Sequence, residues 1–177
     1  MSIKHDDIIH VTLFTDGPVE EAGLLYDTHG HGLIDCGCTK TVCGKAWLDS
    51  YLESLPRSDH MMIEYLKGDT KFRFGDSPVI TSTDKVILPI KLGPKKFSLE
   101  TCIVPSDVPL LISRSSLERA DATIGFGSKE IWIGDEQVPV VEFKSGHMGV
   151  SLISRDIKQS VKQILKMQIF GWVNFDE

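Results

Sequence analysis

No apolar run in this sequence comes near the ~20 residues needed to cross a bilayer, so neither a membrane-spanning helix nor a membrane partner is expected. Basic residues are in short supply. Nineteen Lys and Arg stand against 25 Asp and Glu, a net charge of −6, and they are scattered along the chain. Nucleic acid is therefore not an expected partner, because phosphate recognition draws on a concentrated basic face. Cysteine is scarce as well. Three of the four cysteines crowd into residues 36–43, unlike the spaced pairs of a disulfide framework. A C-x-x-C redox motif, internal repeats and low-complexity tracts are all missing. Residues 1–10 are polar and acidic and do not read as a secretory signal. The expected setting is an intracellular, reducing one.

What is present fits one domain: 177 residues, 41% of them hydrophobic. Turn signals are frequent (Asp16-Gly17-Pro18, Gly75-Asp76-Ser77-Pro78, Gly93-Pro94, Gly134-Asp135, Ser145-Gly146). Short apolar runs lie between them at residues 8–14, 23–26, 32–34, 86–92, 97–104, 130–133 and 138–143. Val86, Leu88, Ile90 and Leu92 alternate with the period of a half-buried strand. The chain reads as mostly β, in a barrel-like or sandwich arrangement.

Three helices are expected. KAWLDSYLESL sets Trp47, Leu48, Tyr51, Leu52 and Leu55 on one face, which reads as core. SRSSLERA is short, with Ser113 or Ser115 as its cap. SRDIKQSVKQILKMQIF carries Ile157, Val161, Ile164 and Leu165 on one side. Residues 1–153 are read as the domain and residues 154–177 as a helical tail or linker, whose Phe170, Trp172 and Phe175 favour docking over exposure.

The stretch LIDCGCTKTVCG, residues 33–44, is the chemically distinctive one. His29, His31, Cys36, Cys38 and Cys43 are possible zinc ligands close in sequence, and zinc takes four. Their spacing lacks paired C-x2-C knuckles, so a zinc-dependent fold is the least favoured reading, and no metal or cofactor is expected. Cys43 and Cys102 read as small buried residues, and His147 as a turn residue. The aspartate reading is stronger. A strand delivers Asp35 to its end, Gly37 allows a tight turn, and small polar residues follow to support the carboxylate. Asp27-Thr28 also follows apolar residues, but its glycine falls one place late and no Thr-x-Thr-Val follows, so it reads as a turn in the preceding hairpin.

Asp35-Cys36-Gly37-Cys38-Thr39, preceded by Leu33-Ile34 and followed by Lys40-Thr41-Val42, resembles the active-site loop of pepsin-like aspartic proteases, which read Asp-Thr-Gly or Asp-Ser-Gly. The likeness is greatest to retropepsins, the proteases of retroviral and retrotransposon polyproteins. FRFGDSPVITSTDKVILPIKLGPKKFSLETCIV resembles their flap hairpin and the strands after it, and VPLLISRSSLERADATIGF resembles their second half-motif. The similarity spans about residues 23–152.

The resemblance implies a retropepsin-like closed β-barrel with a flap hairpin and short helices. Asp35 would be the catalytic residue, and Cys36, Gly37, Cys38 and Thr39 the active-site loop. Phe72, Phe74, Gly75, Asp76, Ser77 and Pro78 would form the flap and touch substrate. Ile112, Ser113 and Arg114 would support the loop and the dimer, Arg114 being otherwise an exposed charge at a helix start. This chemistry needs two carboxylates sharing one proton, one acting as base on water and the other polarising the scissile carbonyl. The chain offers one credible Asp-x-Gly, so the second carboxylate must come from Asp35 of an identical copy. The partners implied are a second copy and an extended peptide, most simply the element's own polyprotein, in the cytoplasm or a virus-like particle.

Two departures stand out. Cys36 replaces the Thr or Ser whose hydroxyl, in that family, bonds across the dimer axis; a thiol is a weaker donor. Ser113 replaces a tightly packed glycine, so its Cβ and hydroxyl are expected to carry a cost. Both imply lowered activity, or an inactive dimer acting as a peptide-binding or assembly module.

Overall fold

The computed structural model describes residues 8–11, 28–143 and 145–153. The expected strand at residues 23–26, the helix after residue 153, and Asp27 lie outside them. Among the described residues there are twelve strands: β1 Ile8–Val11, β2 His31–Asp35, β3 Val42–Gly44, β4 Glu64–Phe74, β5 Ile80–Leu92, β6 Lys95–Val104, β7 Leu111–Ser113, β8 Ala122–Gly125, β9 Glu130–Ile133, β10 Glu136–Val138, β11 Val140–Glu142 and β12 Met148–Ser151. Three short helices join them: α1 Lys45–Ser54, α2 Arg57–His60 and α3 Arg114–Arg119. The protein is mostly β. No helix among the described residues is long and apolar enough to cross a membrane.

Nine strands form one sheet in the order β1-β4-β5-β6-β3-β7-β2-β12-β11, and β10-β9-β8 form a second. The large sheet ends at β1 on one side and β11 on the other, so among the described residues its ladder stays open and does not make the closed barrel expected. The expected run at residues 138–143 is split, because Pro139 has no N–H to give a ladder; β10 ends before it and β11 begins after it. Elsewhere the pattern holds well. Val86, Leu88, Ile90 and Leu92 all face the core from β5.

Helix α1 buries Trp47, Leu48 and Tyr51. The Trp47 and Tyr51 rings stack at 5.0 Å, and Trp47 Nε1 and Tyr51 Oη donate to the carbonyls of Thr28 and Pro89. These two bonds give each aromatic a polar anchor inside the apolar layer. Thr28 in turn closes the turn before β2, its carbonyl accepting from the His31 amide at 2.9 Å.

The centre of the large sheet matters most for the site. Strands β2 and β7 run parallel with Leu33, Ile34 and Asp35 opposite Leu111, Ile112 and Ser113. Strand β3 runs parallel to β6 and touches β7 through Val42 and Leu111. At Gly44 an added Cβ would fall 2.2 Å from the Ser106 carbonyl oxygen, so only glycine lets β3 approach the 106–108 segment. A second apolar cluster lies beneath, comprising Leu33, Cys38, Val42, Phe72, Cys102, Val104, Val108, Leu111 and Phe143.

Candidate functional site

Asp35 closes strand β2, and the chain turns at once. The Cys38 amide donates to the Asp35 carbonyl at 3.2 Å, and the Gly37 amide donates to Asp35 Oδ1 at 2.9 Å. Gly37 has a reason to be glycine other than backbone conformation: an added Cβ would lie 3.3 Å from Asp35 Oδ1, crowding the carboxylate. Asp35 Oδ2 is buried and has no hydrogen-bond partner among the described residues. An unmet buried carboxylate oxygen costs on the order of 1–3 kcal/mol, which sets Asp35 apart from the other carboxylates of the described residues.

The loop after Asp35 is fastened to the β7–α3 junction. The Arg114 amide donates to the Cys38 carbonyl at 3.0 Å, and Ser115 Oγ donates to the Thr39 carbonyl at 2.7 Å. Thr41 Oγ1 accepts from the Ser113 amide at 3.1 Å. The first and second sequence motifs therefore meet as one unit. Ser113 is fully buried, with φ −69°, and caps α3 by accepting from the Ser116 amide. The cost expected of its side chain is answered here: the backbone is in an ordinary extended conformation and the hydroxyl is bonded. Ile112 is core, packed with Ile34 and Leu110.

The loop residues differ in character. Cys36 is exposed, as are Gly37 and Thr39. Partial burial, then the neighbouring Asp35 carboxylate, raise the Cys36 thiol above its ordinary value, with Arg114 opposing them. Cys38 is buried, donates to the Lys40 carbonyl at 2.8 Å, and is pushed up to about 11, chiefly by burial. Arg114 is exposed and pairs with Glu118 along α3, Nε to Oε1 at 2.8 Å.

The five candidate zinc ligands are not brought together: among the described residues, no group of three His, Cys, Asp or Glu side chains is placed to hold a metal ion. His31 Nδ1 donates to the His29 carbonyl at 2.7 Å and its ring packs edge-on against Phe143, while Cys43 is buried in the core. Cys102 is buried too, as expected of both. His147 sits in the turn before β12, 2.9 Å from Ser145 Oγ.

The hairpin of β4 and β5 pairs Phe72 with Ile80 and turns between them. Gly75 has φ +54°, and the Ser77 amide donates to the Phe74 carbonyl at 3.0 Å. Gly75, Asp76, Ser77 and Pro78 are exposed and Phe74 is half-buried. Phe72 is different from expectation. It is fully buried in the second cluster, stacked on Phe74 at 6.1 Å, and so is core and not open surface. Strand alternation explains it, since Thr70, Phe72 and Phe74 share the inward face.

The sequence counts Thr41 only as part of a motif and does not single out Ser116, yet the fold brings the two hydroxyls together beside the loop. The signal was visible: a second threonine in Thr-x-Thr-Val and three serines around one helix start. What was not visible is that the two meet across more than 70 residues of chain. No protein-family model matches this sequence, and no curated protein sequence matches it.

Proposed function

We propose that the chain is one half of a homodimeric aspartic endopeptidase of retroviral or retrotransposon type. Two Asp35 carboxylates, one from each protomer, share a proton and activate water for attack on a peptide bond. The observation that carries this reading is the state of Asp35. One oxygen is held by the Gly37 amide, and the other is buried with no partner among the described residues. Asp35 also lies at the loop's open edge, next to the exposed Cys36 and Gly37, where an identical copy has room to bring its own carboxyl group.

In the same reading, two copies pair around the substrate cleft. The tip of the β4–β5 hairpin, residues 74–80, serves as the flap over an extended peptide, with backbone amides bonding the substrate and Phe74 and Pro78 giving apolar contact. The substrate class is an extended polypeptide, most simply the chain's own polyprotein, processed in the cytoplasm or a virus-like particle. A second reading, a dimer that binds peptide or assembles without turnover, is favoured by Cys36, whose thiol replaces a stronger hydroxyl donor at the loop's exposed edge.

The test is Asp35→Asn. Asparagine keeps an acceptor for the Gly37 amide but cannot share a proton as a carboxyl does. Cleavage of a peptide library should fall by more than about a thousandfold, with the circular dichroism spectrum unchanged. Cleavage at the parent's rate would end the proposal, whereas peptide binding without products from the parent chain would select the second reading.

A further inference from the structure

The hydroxyls of Thr41, Ser113 and Ser116 are all buried, and their oxygens form a triangle. Thr41 Oγ1 lies 3.1 Å from Ser113 Oγ and 2.9 Å from Ser116 Oγ, and Ser113 Oγ lies 3.2 Å from Ser116 Oγ. Each hydroxyl has one proton to give. One circuit uses them all: Thr41 donates to Ser113, Ser113 to Ser116, and Ser116 to Thr41. Three outside donors then meet the three oxygens. The Ser113 amide reaches Thr41 at 3.1 Å, the Ser116 amide reaches Ser113 at 3.3 Å, and Arg119 Nη2 reaches Ser116 at 3.3 Å. In this arrangement every hydroxyl donates once and accepts twice. Ser115, whose own proton goes to the Thr39 carbonyl, offers the Ser113 proton a second acceptor at 3.1 Å.

We infer that this ring of three hydroxyls is the device that holds Asp35 in position, with Thr41 and Ser113 as its positioning residues. The inference rests on the functional reading above for its catalytic consequence. Ser113 stands opposite Asp35 in the parallel ladder, and Thr41 ends the loop that Asp35 begins. The ring therefore ties both ends of the turn carrying the carboxylate to one buried point. A fully satisfied buried network is stiff, because each bond polarises the next and an open vertex leaves an unmet donor or acceptor. The device lies within one protomer. It supplies order to the loop without any hydroxyl from residue 36.

Three variants of the full chain test it. Thr41→Val keeps the shape and removes the hydroxyl, Ser113→Ala removes another vertex, and Thr41→Ser keeps the ring. Amide hydrogen exchange at Gly37 and Arg114 should quicken about tenfold in Thr41→Val and Ser113→Ala, with amides of β5 and β6 unchanged. Thr41→Ser should stay within about twofold of the parent. With a peptide substrate, kcat should fall about tenfold at nearly constant KM in the first two variants, and Thr41→Ser should restore it. Unchanged exchange at Gly37 and Arg114 in both variants overturns the inference, and so does a uniform rise that includes β5 and β6. Exchange needs no turnover, so a parent chain that cuts nothing would sink the functional reading while these rates still decide this one.

Discussion

Asp35 and Ser113 stand opposite one another across the parallel ladder of β2 and β7, although 77 residues of sequence lie between them. Because of that pairing, the acid and the helix cap that supports its loop form one structural unit. Four expected outcomes follow from the way this unit and its surroundings are built.

Replacing Cys36 with threonine should raise peptide cleavage. The side chain is exposed at the loop's edge, so the change costs the isolated fold little. A hydroxyl gives a hydrogen bond that the thiol gives only weakly, equivalent to about fivefold in rate. Steady-state kinetics on one peptide substrate reads the gain. A rate at or below the parent's would show that the thiol at Cys36 does not limit cleavage.

Thiol labelling should sort the four cysteines by burial. Cys36 is exposed and Cys38, Cys43 and Cys102 are buried. Under native conditions a maleimide should modify one thiol per chain quickly and the other three only in denaturant. Cys36 should still react more slowly than free cysteine at pH 8, because its raised pKa leaves less thiolate. Mass spectrometry of the labelled peptides identifies the site. Fast labelling of Cys38 would contradict its burial.

Stability should decline in alkali. Burial pushes Cys38 up to about 11 from an ordinary 9.0 and raises Cys43 and Tyr51 as well. Folding thus favours the protonated form. The unfolded chain loses these protons first, so it binds fewer of them and gains relative to the native state. The contribution of Cys38 is whole below about pH 9 and is lost as pH rises towards about 11. Urea midpoints measured from pH 8 to pH 10.5 should fall, and Tyr51→Phe should flatten the fall while costing about 1 kcal/mol for the bond to Pro89. A flat profile would show that these groups ionise freely in the fold.

Phe72→Ala should destabilise by about 3–5 kcal/mol, as for other large core deletions. Pro78→Ala, at the exposed hairpin tip, should cost under about 0.5 kcal/mol. Denaturant unfolding of both variants measures the contrast. A small loss at Phe72 would return it to the list of open, substrate-facing residues.

Much of this architecture was legible. The period-two run from Val86 to Leu92 signals β5, the Trp47–Tyr51 face signals α1, and the serines at 113 and 115 signal a helix cap, which the fold gives to Ser113, because each rests on neighbours in sequence. The meeting of Asp35 with Ser113 was approached through motif order, not through any local pattern. The parallel pairing of β1 with β4 gave no warning, since nothing in either strand encodes its lateral partner. The hairpin motif places Phe72 at the working end because a motif fixes position along a strand without saying which face a side chain takes. The ring of hydroxyls was hidden for a related reason. Serine and threonine have common local uses as caps and turns, and only the tertiary fold shows that three of them share protons.

The central ladder also fixes a timetable. Thr41 and Ser116 are separated by 75 positions, and both must be in place before the turn at Asp35 is complete. Contacts so remote in sequence form late, after a costly loop closure. A nascent chain that has not yet emerged past α3 thus carries its acid without support. The turn at Asp35 therefore gains its hydroxyl support only once most of the domain has been synthesised.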